Sequence, residues 1–192
     1  IIIAVYFYSK KVVQKPMLWV LDRVVIPVAS GAVFVRLGNF FNSEIIGHET
    51  KSALGVRFVR DQYSAQDVFE ITKNPNINEG YKQIATDPTY VEFLSRVVAK
   101  HPTQLYEAFG YIFVFAIVYF LYWKTEARNK AGYIFGIFLI LLWSVRFIVE
   151  FVKESQGGFE SNLGLFSTGQ WLSIPFILVG IYLTYNANKK QA

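Results

Sequence analysis

Four long apolar stretches constrain the fold of this chain more than any other feature of its sequence. An α-helix needs about 20 mostly apolar residues to cross the hydrocarbon core of a membrane, which is about 30 Å thick. We predict membrane spans over Met17–Val35, Glu107–Trp123 and Tyr133–Val152. Trp171–Tyr185 is shorter and reaches span length when polar flanking residues, up to position 187, lie in the headgroup region. The predicted fold class is all-α, a polytopic transmembrane helix bundle.

The first eight residues, Ile1–Tyr8, form another apolar run that is too short to cross a membrane. The chain starts without Met and without the basic n-region of a signal peptide. We interpret Ile1–Tyr8 as the tail of a transmembrane helix whose beginning is missing, and the chain as a fragment.

Composition and charge placement exclude several classes of protein. With 53% hydrophobic residues, the chain is too apolar for a disordered segment. Because it has no cysteine, it is neither a disulfide-stapled secreted domain nor a thiolate-metal protein. The net charge of +5 indicates topology rather than nucleic-acid binding, because the basic residues cluster after apolar runs. The clusters are Lys10, Lys11 and Lys15; Lys124, Arg128 and Lys130; and Lys189 and Lys190. The positive-inside rule places all three, and the C-terminus, on the cytoplasmic side.

The opposite side receives a small, outward-facing polar insert. His48–Lys100 contains as many acidic as basic side chains, and turn signals occur at Asn74-Pro75-Asn76 and Asp87-Pro88. We predict a soluble cap on the periplasmic face, with short helices near Ala65–Ile71 and Tyr90–Ala99.

Charged side chains inside the predicted spans are candidates for function, because buried charges are costly in a membrane and usually face the bundle interior. Arg146 and Glu150 are four residues apart, so they share a helical face and can pair. One interpretation is a structural ion pair that locks two helices. The other is an anion site in which Arg146 holds a phosphate and Glu150 orients it. We interpret Asp22 and Arg23, early in their span, as snorkelling to the cytoplasmic interface.

The densest polar segment, residues 36–47, is predicted to be a loop where a span reaches the outer interface. It combines a cation, two amides, a carboxylate and two glycines, which permit turns and close approach of a ligand. These residues are Arg36, Gly38, Asn39, Asn42, Glu44 and Gly47. Each alone fits an ordinary interfacial loop, but together they indicate a binding site.

A second polar segment, His101-Pro102-Thr103-Gln104-Leu105-Tyr106-Glu107, enters the next span from the same side. His101 either caps nearby backbone or serves as a base, since histidine titrates near neutral pH. Arg146 and Glu150, late in an outward-going helix, reach the same depth. Three segments therefore place polar groups in one layer, which predicts a functional site at the outer face.

Four motifs follow one another along the chain. The first comprises Arg36, Gly38-Asn39-Phe40, Asn42, Glu44 and Gly47, and the second runs from His101 to Glu107. The third is Arg146-Phe147-Ile148-Val149-Glu150-Phe151, and the fourth is Thr168-Gly169-Gln170-Trp171-Leu172-Ser173-Ile174-Pro175. Together they resemble the signature runs of the prolipoprotein diacylglyceryl transferase family, over Lys10 to about Tyr185.

The resemblance implies transfer of a diacylglyceryl group from phosphatidylglycerol to the lipobox cysteine thiol of a preprolipoprotein. A thioether forms and glycerol phosphate leaves. No metal and no soluble cofactor are implied. The implied partners are phosphatidylglycerol, lipobox peptides and the lipid bilayer, not nucleic acid, and the implied location is the bacterial inner membrane with the site toward the periplasm.

The resemblance also implies residue roles. Arg36 and Arg146 would hold the phosphate and stabilise its charge as glycerol phosphate departs, since preorganised electrostatics often form the largest catalytic contribution. The amides would orient the headgroup, the two glutamates would position the arginines, and Tyr106 would hydrogen-bond the lipid or shape the pocket. The predicted catalytic residues are Arg36, Arg146, Tyr106 and His101. The predicted substrate-binding residues are Arg36, Asn39, Asn42, Glu44, Gly47 and Glu150.

Two departures qualify the resemblance. The family carries a His-Gly-Gly stretch immediately upstream of where this chain begins, and its His is favoured over His101 as the base for the thiol. The chain is therefore predicted to be the C-terminal portion of the enzyme and inactive by itself. Many members also carry Tyr one turn before the late arginine, where this chain has Leu142.

Two other functions compete with this hypothesis. A transporter or channel for a small anion also uses arginines within the membrane, but it tends to show discontinuous helices or a repeat between halves, and neither is evident. A non-catalytic assembly subunit would use Arg146 and Glu150 only to join helices.

Overall fold

The computed structural model describes residues 2–154 and 166–189, and it confirms an all-α membrane helix bundle. The helices in chain order are α1 Ile2–Phe7, α2 Met17–Phe41, α3 Val59–Gln62, α4 Ala65–Thr72, α5 Ile77–Thr86, α6 Val91–Arg96, α7 Thr103–Lys124, α8 Tyr133–Val149 and α9 Thr168–Lys189. A π-helical segment, Tyr8–Val13, follows α1, and short 3₁₀ turns lie at Pro88–Tyr90, Glu126–Asn129 and Glu150–Val152. Two strands of two residues each, β1 Val56–Arg57 and β2 Ala99–Lys100, pair antiparallel.

The chain divides into two compact units. The bundle unit comprises, among the described residues, 2–37, 105–151 and 166–189. The insert unit comprises Gly38–Gln104 and Val152–Glu154.

Three helices of the described chain are long and apolar enough to cross a membrane: α2, α7, and α8 with the 3₁₀ turn that continues it to Val152. Helix α9 is 22 residues long but contains more polar residues and Pro175, and it falls outside that group. A fourth span at 171–187 therefore stays a prediction.

Side chains from α2, α7 and α8 form the core of the bundle unit. The buried residues that they share are Val25, Ala29, Val114, Val118, Ile134, Phe138 and Leu139. Helices α8 and α9 approach closely at two glycines, because a Cβ on Gly136 would lie 2.8 Å from the Gly180 carbonyl oxygen. Such close contact between helix backbones requires small residues at the interface.

Asp22 is fully buried and does not snorkel, which corrects the sequence interpretation. Its carboxylate accepts hydrogen bonds from the backbone N–H groups of Gly132, at 2.6 Å, and Phe135, at 2.8 Å. The first N–H groups of a helix have no partner within the helix, so Asp22 caps α8 from a different helix. The neighbouring Arg23 packs over the Trp19 ring and donates to the Trp19 carbonyl.

Replacing Asp22 by alanine is expected to lower the free energy of unfolding by about 1–3 kcal/mol, because buried N–H donors lose their acceptor. The measurement is an SDS titration of the protein in mixed micelles, followed by circular dichroism. Asp22→Asn keeps one carbonyl acceptor and should lose less. Equal stability of wild type, Asp22→Ala and Asp22→Asn would contradict the capping role.

The insert unit is a small helical domain around Val59, Val68 and Ile84. Helix α4 confirms the helix predicted at Ala65–Ile71 and begins with a capping box, in which Ser64 and Asp67 exchange hydrogen bonds. The helix predicted over Tyr90–Ala99 was too long. Helix α6 ends at Arg96 because Ala99 and Lys100 pair as a strand with β1.

Lys100 joins distant parts of the insert unit. Its Nζ lies 2.8 Å from Asp61 Oδ2 and 3.1 Å from Glu154 Oε2. Partial burial alone would lower the pKa of Lys100, but the hydrogen bonds and charges of the two carboxylates outweigh it and raise the pKa above its ordinary value.

Candidate functional site

Helix α2 extends to Phe41, so the first half of the polar segment 36–47 is helical. The helix ends at Ser43, whose φ of 57° is in the left-handed region. The Ser43 N–H donates to Phe40 O at 3.1 Å and the Glu44 N–H donates to Asn39 O at 2.8 Å. This pair of bonds is the Schellman arrangement that satisfies the last carbonyls of a helix. It folds Glu44 back toward the helix end.

In the insert unit, Glu44 organises the two amides of the segment. Asn39 Nδ2 donates to Glu44 Oε2 at 2.7 Å, and Asn42 Nδ2 lies 3.5 Å from Glu44 Oε1. The Asn39 side-chain oxygen is buried and accepts no hydrogen bond from any described residue. The pairing fixes the Asn39 amide so that this acceptor keeps one orientation.

The turn after Glu44 is held by the first residues of α7. Thr103 Oγ1 donates to the Ile45 carbonyl at 2.7 Å, and the Gln104 amide donates to the Glu44 carbonyl. Both side chains are fully buried. Ile45 has a φ of 57°, which is costly for a β-branched residue, so this turn needs such support. Thr103 and Gln104 were absent from the predicted site, although they belong to the second motif.

Gly47 lies between two backbone segments of the insert unit. Its N–H donates to His101 O at 2.9 Å, and it forms an isolated antiparallel bridge with Lys153. A Cβ at Gly47 would lie 2.5 Å from the Val152 carbonyl oxygen and 2.7 Å from His101 Cβ. This position therefore requires glycine for packing, whatever part it takes in binding.

Gly47→Ala is expected to destabilise the insert unit by about 1–3 kcal/mol, the usual cost of overpacking. Faster hydrogen exchange at the Gly47 and His48 amides would report it. Gly38→Ala is the matched control, because a Cβ at Gly38 meets nothing within 4 Å. Equal exchange in the two variants would contradict the steric argument.

His101 is half-buried in the insert unit, and its backbone is tied down on both sides. Its N–H donates to His48 O at 3.0 Å, and its carbonyl accepts from Gly47. A role for the His101 imidazole as a base stays a prediction.

In the bundle unit, Arg36 pairs with Glu107. Arg36 Nε lies 2.8 Å from Glu107 Oε2, and the two side chains are 10% and 0% exposed. Neither Glu107 oxygen accepts a well-aligned hydrogen bond from a described residue, so the contact is mainly electrostatic. The sequence analysis assigned Glu44 and Glu150 to position the two arginines, whereas the carboxylate that contacts Arg36 belongs to Glu107 on α7.

Tyr111, one helical turn after Glu107, is a site residue that the sequence analysis missed. It is 3% exposed, lies within hydrogen-bonding reach of Arg36, and is within electrostatic range of Arg146. Gly110 allows α8 to approach here, since a Cβ on it would lie 2.6 Å from Val145 Cγ1. The only sequence signal was a polar phenol inside a predicted span.

Arg146 on α8 differs from Arg36, because it makes no ion pair with a described residue. Its guanidinium carbon lies 5.0 Å from the centroid of the Trp143 ring, and its Nε is buried without a hydrogen-bond partner in the described part of the chain. The spacing allowed a pair with Glu150. Glu150 begins a 3₁₀ turn, and its carboxylate lies against Gly169 of α9.

Tyr106 is half-buried on α7, directly before Glu107. The bundle unit thus brings Arg36, Glu107, Tyr111 and Arg146 into one electrostatic network. The remaining predicted ligands, Asn39, Asn42, Glu44, Gly47 and His101, belong to the insert unit.

The helices define an all-α protein with several helices able to cross a membrane, and two of these helices carry the buried Arg36 and Arg146. The sequence profile of the prolipoprotein diacylglyceryl transferase family matches residues 1–186. The chain therefore belongs to this family, and it is the chain of a bacterial membrane protein.

Three relatives, each named phosphatidylglycerol–prolipoprotein diacylglyceryl transferase, illustrate the similarity. The protein of Porphyromonas gingivalis is 41% identical over 98% of this chain and 59% of its own length. That of Tolumonas auensis is 35% identical over 100% of this chain and 60% of its own length. That of Chloroherpeton thalassium is 34% identical over 99% of this chain and 58% of its own length. The chain spans about three fifths of the length of these relatives.

Proposed function

We propose that the protein containing this chain transfers the diacylglyceryl group of phosphatidylglycerol to the lipobox cysteine of preprolipoproteins. The cysteine sulfur attacks the glycerol carbon that carries the phosphate. A carbon–sulfur bond forms, the carbon–oxygen bond to phosphate breaks, and glycerol phosphate leaves with the electron pair. The thiol proton passes to a base, because the thiolate is the effective nucleophile.

The observation that carries this proposal is the pair of arginines in the bundle unit. Arg36 is neutralised by Glu107, whereas Arg146 has no counter-charge among the described residues. The network therefore has net positive charge in a site of low dielectric, where it favours a phosphate strongly. Family membership supplies the identity of the anion, and the names of the relatives supply the acceptor.

The proposed mechanism gives each group in the bundle unit a task. Arg146 binds the phosphate oxygens with its planar fork and stabilises the charge that develops on the leaving group. Arg36, held by Glu107, adds a second cation of fixed orientation. Tyr106 hydrogen-bonds the lipid or shapes the pocket, and Glu150 positions the end of α8.

The other ligands rest on the resemblance. We propose Asn39, Asn42, Glu44 and Gly47 as ligands of the headgroup and His101 as a candidate base. No metal or soluble cofactor takes part in the proposed reaction.

The proposed location is the bacterial inner membrane, with the C-terminus in the cytoplasm and the active site toward the periplasm. The basic clusters that follow the apolar runs support this orientation. The test is to introduce single cysteines into the loops and to label them with a membrane-impermeant reagent, in intact spheroplasts and in inverted vesicles.

The decisive experiment uses the full-length protein in proteoliposomes that contain phosphatidylglycerol labelled in its acyl chains. A lipobox peptide should acquire the label as a thioether, and a peptide with serine in place of the cysteine should not. Absence of thioether product from folded protein would refute the proposal. Anion flux without lipid turnover would favour the transporter hypothesis, which the family membership does not support.

A further inference from the structure

The insert unit contains a cavity of about 300 Å³ that is not part of the arginine network. Its lining contains three basic side chains, Arg57, Arg60 and Lys82, and three phenylalanines, Phe40, Phe41 and Phe58. The cavity contains none of the residues that the proposed transfer uses.

The charge in this cavity is largely uncompensated. Among the described residues, no acidic side chain lines it. In the same part of the chain, Arg57 donates to the Leu94 carbonyl alone, and Arg60 donates to Asn78 and packs 4.4 Å from the Tyr81 ring centroid. Lys82 has an exposed and long contact of 3.8 Å with Glu79, which is worth little. Two guanidinium groups and an ammonium therefore face one opening without buried counter-charges among the described residues.

The C-terminal end of α2 contributes Phe40 and Phe41 to the lining of the cavity. Helix α2 has 25 residues, so it is about 37 Å long at 1.5 Å per residue. That exceeds the hydrocarbon thickness of about 30 Å, and the ends of the helix reach the headgroup region. Phe40 and Phe41 are its last two residues, and Phe41 is 75% exposed. An exposed phenylalanine ring offers apolar surface that lipid can cover.

We propose that this cavity binds the headgroup of an anionic phospholipid, separately from the transfer site. Arg57 and Arg60 hold the phosphate, Lys82 adds charge, and the glycerol and upper acyl carbons pack against Phe40 and Phe41. Basic side chains next to a membrane surface are attracted to anionic lipid headgroups. The lipid fixes the insert unit at the membrane surface without being consumed.

The test uses the full-length protein in nanodiscs that contain a photoreactive phosphatidylglycerol, with adducts mapped by mass spectrometry. Adducts are expected in peptides covering residues 40–60 and 78–85. They should fall at least fivefold in the double variant Arg57→Gln/Arg60→Gln. The matched control, Lys51→Gln/Lys73→Gln, removes the same charge from exposed positions of the insert unit outside the cavity and should keep them.

A charge-retaining variant, Arg57→Lys/Arg60→Lys, separates binding from misfolding, because it should restore much of the labelling. Arg146→Gln should leave these adducts unchanged, which keeps this proposal distinguishable from the proposed function. Equal labelling of the cavity and control variants overturns the proposal. In a competition arm, unlabelled phosphatidylglycerol should suppress the adducts. Equal suppression by phosphatidylcholine, by inorganic phosphate or by an acidic peptide also overturns the proposal.

Discussion

Replacing Arg146 by glutamine is expected to lower the rate of diacylglyceryl transfer by about 10²–10³-fold, the cost of removing one preorganised charge-stabilising group. Arg146 has no ion-pair partner in the described chain, so its loss leaves no carboxylate stranded. The variant should therefore remain folded. The measurement is the initial rate of thioether formation at several concentrations of phosphatidylglycerol, with thermal unfolding measured in parallel.

Two further variants test whether the loss of activity comes from the guanidinium group of Arg146. Arg146→Lys keeps the charge but not the planar fork, so its rate should fall between wild type and Arg146→Gln. Arg128→Gln removes an exposed arginine at a turn and should transfer at the wild-type rate. A folded Arg146→Gln variant with full activity would remove Arg146 from the phosphate site. A loss of folding with no separate loss of turnover would favour a structural role.

Replacing Glu107 by alanine is expected to lower the free energy of unfolding by about 3–5 kcal/mol, because a buried guanidinium keeps its charge and loses its partner. Glu107 is fully buried and lies 2.8 Å from Arg36. Chemical unfolding in mixed micelles measures the effect. Glu126→Ala, at an exposed position beyond the other end of α7, is the control and should change little.

A double variant separates stability from function at this pair. Arg36→Met/Glu107→Leu replaces both charges by apolar groups of similar length, which is often neutral or stabilising. It should therefore recover much of the stability that Glu107→Ala loses, yet transfer should stay low because Arg36 is absent. If the double variant were as unstable as Glu107→Ala, the destabilisation would come from lost packing rather than an unpaired charge.

The presence and approximate bounds of the membrane-spanning helices could be predicted, because the length of an apolar run is a local property of the sequence. The end of α2 could not be predicted in this way. The apolar run that predicts the span ends before Arg36. The helical hydrogen bonds of the backbone continue through the polar residues that follow, until Ser43 takes a left-handed conformation. The polar segment was therefore predicted as a loop, although half of it is helix.

The residues of the site were easier to predict from the sequence than the contacts between them. Arg36, Glu107 and Arg146 were all visible as charges in or near spans, but which carboxylate meets which arginine depends on helix rotation and packing. The close approach of α7 to α8 at Gly110 brings Tyr111 near Arg146, and nothing local in the sequence encodes that contact. Likewise, helical spacing allows Arg146 and Glu150 to pair, whereas the Glu150 carboxylate lies against Gly169 of α9.

The bond between Asp22 and the start of α8 has a consequence for biosynthesis. The carboxylate and the Gly132 amide are separated by 110 residues of chain. At about 5–20 residues per second, a ribosome needs roughly 5–20 s to make that stretch. During this interval α2 carries an acidic group whose final donors do not yet exist. We therefore expect the Asp22 carboxylate to reach its buried, hydrogen-bonded state only after the start of α8 has been synthesised.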